Sequence, residues 1–397
     1  MNIFDRFAYS PTQKWLLSII YAGNSLTRQM LADISGMSAL TVVKAVSVFI
    51  DDGVLVEGGK LSSKGGRKPN MLMLRADLAY VICVDIGASA TRIGLVSIGG
   101  EVVDKIEDDH FGGSFPTQAT SKESLKDMLK EIRRKWDAYE ILGMNICITG
   151  LVDNDQTIVH CPHMQGYNGE NLVDYLGRYF DMPIMMNTSA RTMALGEQYF
   201  GAGRGVENQV YISVGFSISA GLILNGALFM GAGGFAGEVG HIGVSPNGHI
   251  CACGNEGCLE EHATIPVIMR RIREKLSQPN VFSIAKSAGS DLAGLSVRDA
   301  RDALEKGDKV VFSVLAEIGA ELGEVVSDIT NTINPELILL GGGAIETFGI
   351  LVEEIAHTVR SRALIPNQGG LRVEKGHNGF DSALIGGPVQ IVQALLK

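Results

Sequence analysis

The sequence has no uninterrupted apolar segment of membrane-spanning length. Its longest apolar run, around Ile141 to Val152, falls short of the roughly 20 residues a spanning helix needs. That run carries glycines and reads as a buried strand. The opening MNIFDRFAYSPTQKW lacks the basic start and apolar stretch of a secretory signal, so none is expected. Only six cysteines occur in 397 residues, too few for a disulfide scaffold, and three of them cluster. A reducing cytoplasm is the expected location. A net charge of −10 argues against a protein whose whole surface holds nucleic acid. With 46% hydrophobic residues and 49 glycines, the chain reads as a well-buried α/β protein rich in tight turns, long enough for two or three domains.

The charge is unevenly spread. Residues 1–75 hold nine lysines and arginines against five acids, +4 in all, which leaves −14 on the remainder of the total of −10. A basic head on an acidic body suggests that only the head meets phosphate.

Three short helical patterns fill the head. Ser10-Pro11 opens the first, with Trp15, Leu16, Ile19 and Ile20 at helical spacing as far as Gly23. Ser25 starts the second, with Leu26, Met30, Leu31 and Ile34 as its apolar side, closed by Gly36. Ser38 caps the third, which turns Val42, Val46 and Phe49 inward and ends at Asp52-Gly53. The short gap around Gly36 suits a helix-turn-helix, whose recognition helix would present Ser38, Thr41, Lys44 and Ser47 to base edges and phosphates. Val54–Glu57 and Lys60–Ser62 read as two short strands around Gly58-Gly59, a wing. The basic strip with Lys64, Arg67 and Lys68 that follows would track the DNA backbone or enter a minor groove. A three-helix dimerisation or protein-interaction module is the blander alternative.

In the body, a strand at Tyr80–Asp85 ends in Asp85-Ile-Gly87-Ala88-Ser89, and a second strand returns over Arg92–Ser97. This resembles the first phosphate loop of the actin-like ATPase superfamily, where backbone N–H groups face nucleotide phosphates. Strand-plus-glycine patterns recur at Ile146–Gly150, Val210–Gly215 and Glu336–Gly343, with helical stretches such as Lys122–Trp136 and Val310–Asn331 between them. The alternation indicates an α/β fold with two lobes around a cleft. The sharpest local pattern is His241-x9-Cys251-x-Cys253-x4-Cys258: one imidazole and three thiolates fill all four positions of a tetrahedral, structural Zn²⁺. Redox-active or merely packed cysteines are the competing reading. His249 is expected to be exposed, and Cys83, Cys147 and Cys161 to be buried thiols.

From Val81 onward the chain resembles the ROK family (repressors, open reading frames and sugar kinases). The resemblance is carried by Ala236–His241 (AGEVGH), Cys251–Glu260 (CACGNEGCLE), Ala194–Glu197 (ALGE) and Asn334–Gly343 (NPELILLGGG). It implies an α/β, two-lobed actin-like (ribonuclease-H-like) body behind an N-terminal winged helix-turn-helix. The layout implied is a DNA-binding head with basic linker over 1–76 and a sugar-binding body over 77–397. That body has a small lobe of about 77–187 plus 380–397 and a large lobe of about 188–379. A head ahead of such a body resembles the repressor branch, with its xylose and N-acetylglucosamine repressors.

The resemblance also assigns a sugar pocket to Asn187, Glu238, His241 and Glu260, with His241 binding zinc through one nitrogen and a sugar hydroxyl through the other. Solvated loop acids, or outer partners of the zinc, are the alternative. The family's catalytic base is the Asp of an Asn-Asp pair, and here the pair reads Asn187-Thr188. The usual Asp-x-Gly-Gly-Thr loop is Asp85-Ile-Gly87-Ala88-Ser89, and Gly-Thr-Gly-Ile-Gly is Gly215-Phe216-Ser217-Ile218-Ser219. A threonine cannot accept the hydroxyl proton at neutral pH, and side chains at 216 and 219 obstruct close backbone approach to phosphate. The expectation is a non-enzymatic, sugar-responsive repressor of carbohydrate-metabolism genes. It would be a homodimer or tetramer on a double-stranded operator, with the sugar shifting the population between two closure states. Control by a sugar-transport protein rather than free sugar is a second reading, and an active ATP-dependent sugar kinase a third.

Overall fold

The computed structural model describes all residues except 1–2, 24–25, 61–69, 110–120, 163 and 288–291. By contacts the chain divides into two units, Met1–Gly205 with Asp381–Lys397, and Val206–Phe380.

The first unit opens with a short helix α1 (Ile3–Arg6), then α2 (Pro11–Gly23), α3 (Arg28–Ser35) and α4 (Ala39–Asp51). Leu16, Leu17, Ile20, Leu31, Val42, Val46 and Phe49 are fully buried and form the core of the head. The helix α3 starts later than the sequence pattern suggests: its cap is Thr27, whose hydroxyl accepts from the Met30 N–H at 3.1 Å. Leu26 is instead extended and pairs with Leu72. Met30 and Ile34 consequently face outward, 40% and 57% exposed, leaving Leu31 as the large inward side chain. Gly36, at φ +65°, makes the turn into Ser38, which caps α4 by accepting from the Thr41 N–H.

The wing also differs from expectation. Strand β1 (Leu55–Lys60) continues past Gly58, with a register shift between Gly58 and Lys60, and pairs antiparallel with β2 (Asn70–Leu74); Leu61 and Ser62 of the expected second strand lie outside the described residues. Leu72 explains the choice, because the register Glu57↔Leu72 drops that side chain into the head's core.

Behind the head, β3 (Tyr80–Ile86), β4 (Ala90–Ser97), β5 (Val102–Asp109), helix α5 (Lys122–Lys135) and β6 (Ile141–Ile148) begin a five-stranded sheet of order β5-β4-β3-β6 and Ile184–Thr188. The first three strands are antiparallel neighbours, and β6 and Ile184–Thr188 are added in parallel. One face is covered by α5, through Leu125, Leu129 and Ile132. The helices Ser189–Phe200, Ser382–Ile385 and Gly387–Leu395 belong to the same unit, so its last elements come from the far end of the chain.

The second unit repeats the plan. Its five strands run Ala227–Leu228, Ile218–Leu224, Gln209–Val214, Leu337–Gly341 and Arg372–Lys375, antiparallel on one side and parallel on the other. The long helix Lys309–Ile333 contributes the largest share of its core, including Val314, Ile318, Leu322 and Val326.

Candidate functional site

The metal-ligand pattern closes in space. The ligand atoms of His241, Cys251, Cys253 and Cys258 all lie within 4.8 Å of one another. Cys251 Sγ is 3.6 Å from His241 Nδ1, and Cys253 Sγ is 3.7 Å from Cys258 Sγ. A tetrahedron with Zn–S near 2.3 Å and Zn–N near 2.05 Å has edges of about 3.8 Å (S–S) and about 3.6 Å (S–N), so the cluster has the dimensions zinc needs. Glycines make this loop possible: Gly257, at φ +67°, lies so close to Ser245 that a Cβ would come 1.9 Å from its carbonyl oxygen. His249 is exposed, and Cys83, Cys147 and Cys161 are buried thiols.

Beside the cluster the second unit gathers three of the four expected sugar residues. Glu238 leads into the 3₁₀ turn Val239–His241, and Glu260 starts the helix directly after Leu259. The Glu260 carboxylate accepts from the Ile218 N–H at 2.8 Å. Gly240 lets that turn pack in, since a Cβ there would lie 2.3 Å from the Ile218 carbonyl oxygen and 2.8 Å from Glu260 Cγ. His241 turns Nδ1 to the thiols, leaving Nε2 to face elsewhere. Asn187 lies in the first unit, at the end of strand Ile184–Thr188. It is 3% exposed, its Oδ1 accepting from the Thr188 N–H at 2.9 Å and from Arg191 at 3.4 Å.

The two loops likened above to phosphate loops have partners within the chain. Asp85 is buried, with one carboxylate oxygen accepting from Ser189 Oγ at 2.9 Å and from the Cys147 thiol at 3.5 Å. The other oxygen faces the Arg92 guanidinium at 3.4 Å, which also pairs with Glu107 at 3.1 Å. Burial holds the Asp85 carboxyl above the ordinary carboxylate range even though Arg92 and the two hydrogen bonds pull it down. In the second unit, Gly215-Phe216-Ser217-Ile218-Ser219 is a tight hairpin. Its Gly215 N–H bonds to the Ser217 carbonyl and its Ile218 N–H to Glu260, so two donors that could cradle a phosphate are spent internally. The Asp85 partners Arg92, Ser189 and Cys147 were not singled out from the sequence. Arg92 had a readable signal, a cation one strand-turn away from a buried acid.

On the head, Ser38, Thr41, Lys44 and Ser47 are all exposed along α4. Lys64, Arg67 and Lys68 fall outside the described residues.

A helix-turn-helix head joined to two units of ribonuclease-H-like sheet order is the class of protein these features define: a nucleic-acid-binding module on an actin-like body. The chain belongs to the ROK family, whose model matches residues 81–393. It is 29% identical over 365 residues to the xylose repressor of Bacillus spizizenii, covering 91% of this chain and 90% of that one. It is likewise 29% identical over 378 residues to the DNA-binding transcriptional dual regulator NagC of Escherichia coli, covering 94% and 90%. Among solved structures it is similar to a ROK family transcriptional regulator homologous to E. coli MLC. That match has TM-score 0.78 and 25% identity and covers 98% of this chain and 97% of that one. The fold is shared as well with a ROK glucokinase from Streptomyces griseus, at TM-score 0.70 and 23% identity over 80% of this chain and all of that one.

Proposed function

We propose that this protein is a sugar-responsive DNA-binding transcription repressor of carbohydrate-metabolism genes that has lost kinase activity. The observation that carries the reading is the pairing of an exposed recognition helix with a ROK body whose Asp85 already faces the Arg92 guanidinium and whose base position holds Thr188. A guanidinium beside the acid competes with a nucleotide's metal ion for its charge, and threonine takes no proton at neutral pH. The names of the xylose repressor and NagC relatives point the same way.

In this reading Ser38, Thr41, Lys44 and Ser47 meet the operator, with Lys64, Arg67 and Lys68 on its backbone. Asn187, Glu238, His241 and Glu260 bind the sugar, carboxylates and amide matching adjacent hydroxyls. His241, Cys251, Cys253 and Cys258 hold one structural zinc, which supplies a cross-link to a loop with little core of its own. The chain acts as a homodimer on a palindromic site in the cytoplasm. Sugar must favour the operator-free state by a few kcal/mol to empty the site.

The test is selection of genomic DNA fragments by the zinc-loaded protein, repeated with D-xylose, D-glucose and N-acetyl-D-glucosamine. A palindromic site released by one sugar, with no sugar-dependent ATP consumption, upholds the reading. Failure to enrich any site, or ATP turnover with a sugar, overturns it. In the same assay Glu260→Ala keeps operator binding and loses release; a variant that still responds normally removes Glu260 from the pocket.

A further inference from the structure

We propose that Tyr21, Tyr199 and Phe200 are positioning residues that clamp the DNA-binding head to the far end of the helix starting beside Asn187, so that the head moves with this helix as one body. The proposal rests on the repressor reading above and names the route by which effector binding at Asn187 reaches the recognition helix.

Three facts carry it. First, the head is seated on the sheet unit by an aromatic cluster. Tyr21, in the last turn of α2, has its ring 5.2 Å from that of Tyr199 and 6.3 Å from that of Phe200. Tyr21 and Tyr199 are both nearly inaccessible. Tyr199 is fixed in turn by Gln393, whose amide donates to its hydroxyl at 2.6 Å. The Tyr21 hydroxyl is buried without a hydrogen-bond partner, a cost accepted to place the ring there. The turn between β4 and β5 completes the seat. A Cβ on Gly100 would lie 2.6 Å from the Phe200 ring, and one on Gly99 would lie 2.4 Å from the Cβ of Ala76, at the end of the head. At a second point Arg6 of α1 pairs with Glu140 at 2.9 Å.

Second, Tyr199 and Phe200 end the helix whose first residue, Ser189, follows Asn187-Thr188 and bonds to Asp85. Twelve residues make a rod of about 18 Å.

Third, this rod cannot slide along its neighbours. A Cβ on Gly386 would fall 1.8 Å from the Thr192 carbonyl oxygen, and one on Gly196 would fall 3.0 Å from the Gly386 nitrogen. Backbone touches backbone with no side chain between to repack. A displacement at the Asn187 end is therefore passed on whole to the aromatic end, and so to α2.

The test uses the full-length, zinc-loaded protein and the Phe200→Ala and Phe200→Leu variants. Hydrogen exchange without any ligand comes first: in the wild type, amides of α2 are expected to exchange as slowly as those of the 189–200 helix. In Phe200→Ala the α2 amides should speed up about ten-fold or more, while Phe200→Leu, which keeps most of the volume, stays close to wild type. Operator affinity is then measured with and without saturating D-xylose, D-glucose and N-acetyl-D-glucosamine. Phe200→Ala should keep operator affinity and sugar affinity each within about three-fold, yet shrink the sugar-induced drop in operator affinity by about ten-fold. Retention of full sugar response in Phe200→Ala overturns the clamp, as does fast α2 exchange in the wild type. If no sugar alters operator binding of the wild type, the effector reading fails instead, and the exchange result still decides the clamp.

Discussion

Replacing Arg92 with leucine should leave Asp85 buried without its cation, and the structure sets the size of the effect. The two groups stand 3.4 Å apart. At an effective dielectric constant of about 20, unit charges at that separation attract by about 5 kcal/mol. Desolvation of both groups opposes this, so the expected cost of Arg92→Leu at neutral pH is that of orphaning a buried charge, about 3 kcal/mol. Burial already holds the Asp85 carboxyl above its unfolded value. Its ionised form is thus the unfavourable one in the folded chain, and stability falls as pH rises through the raised folded value. Removing Arg92 raises that value further. The deficit of Arg92→Leu is therefore largest at high pH and shrinks on acidification, as Asp85 takes up its proton in both proteins. Adding Asp85→Asn should cut the cost of Arg92→Leu to below about 1 kcal/mol, because no charge is left to orphan. Urea unfolding of the single and double variants between about pH 5 and pH 8 reads all of this. An equal deficit across that range, or the same cost with Asp85→Asn present, would refute a charge-pairing role for Arg92.

Lys44→Gln is expected to weaken operator binding across all sequences and to reduce the slope of log affinity against log salt by about 1, measured by titration at several salt concentrations; an unchanged slope takes Lys44 off the phosphates. Cys258→Ser should lower bound zinc from about one per chain, read by elemental analysis, and speed proteolysis between Gly240 and Glu260; full zinc retention would exclude that thiol as a ligand. Gly240→Ala forces a methyl group against Glu260 and the Ile218 carbonyl. Sugar affinity measured by calorimetry should fall about ten-fold while operator affinity holds, and an unaltered sugar affinity would separate Glu260 from the effector.

The elements that periodicity and cysteine spacing could reach were legible. Val42, Val46 and Phe49 point inward as their spacing requires, and the four metal-ligand candidates converge as their short spacing allows, with glycines such as Gly257 permitting the close turns. What sequence missed was non-local. The start of α3 shifted because Leu26 is claimed by a strand pairing with Leu72, nearly fifty residues on. The partner of β1, Asn70–Leu74, was not read from the sequence for the same reason: the pairing and the burial of Leu72 carry β1 past the turn signal of Gly58-Gly59. Asp85 was visible as a loop acid, but its partners Arg92, Ser189 and Cys147 come from three other elements and share no local pattern. Tyr21 reads in sequence as one more apolar residue at a helix end, and only the fold sets it beside Tyr199.

The first unit is interrupted: 175 residues lie between Gly205 and Asp381, and its sheet is finished by the helix Gly387–Leu395. Asn145 of β6 donates to Gln390, and Val389, Ile391 and Val392 are fully buried. On a ribosome the head and its strands must therefore wait, with an apolar face open to water, while the second unit is made and folds. At 5–20 residues per second that delay is about 10–40 s. The C-terminal helix is thus the last piece this unit needs: its core closes only after the second unit has been made.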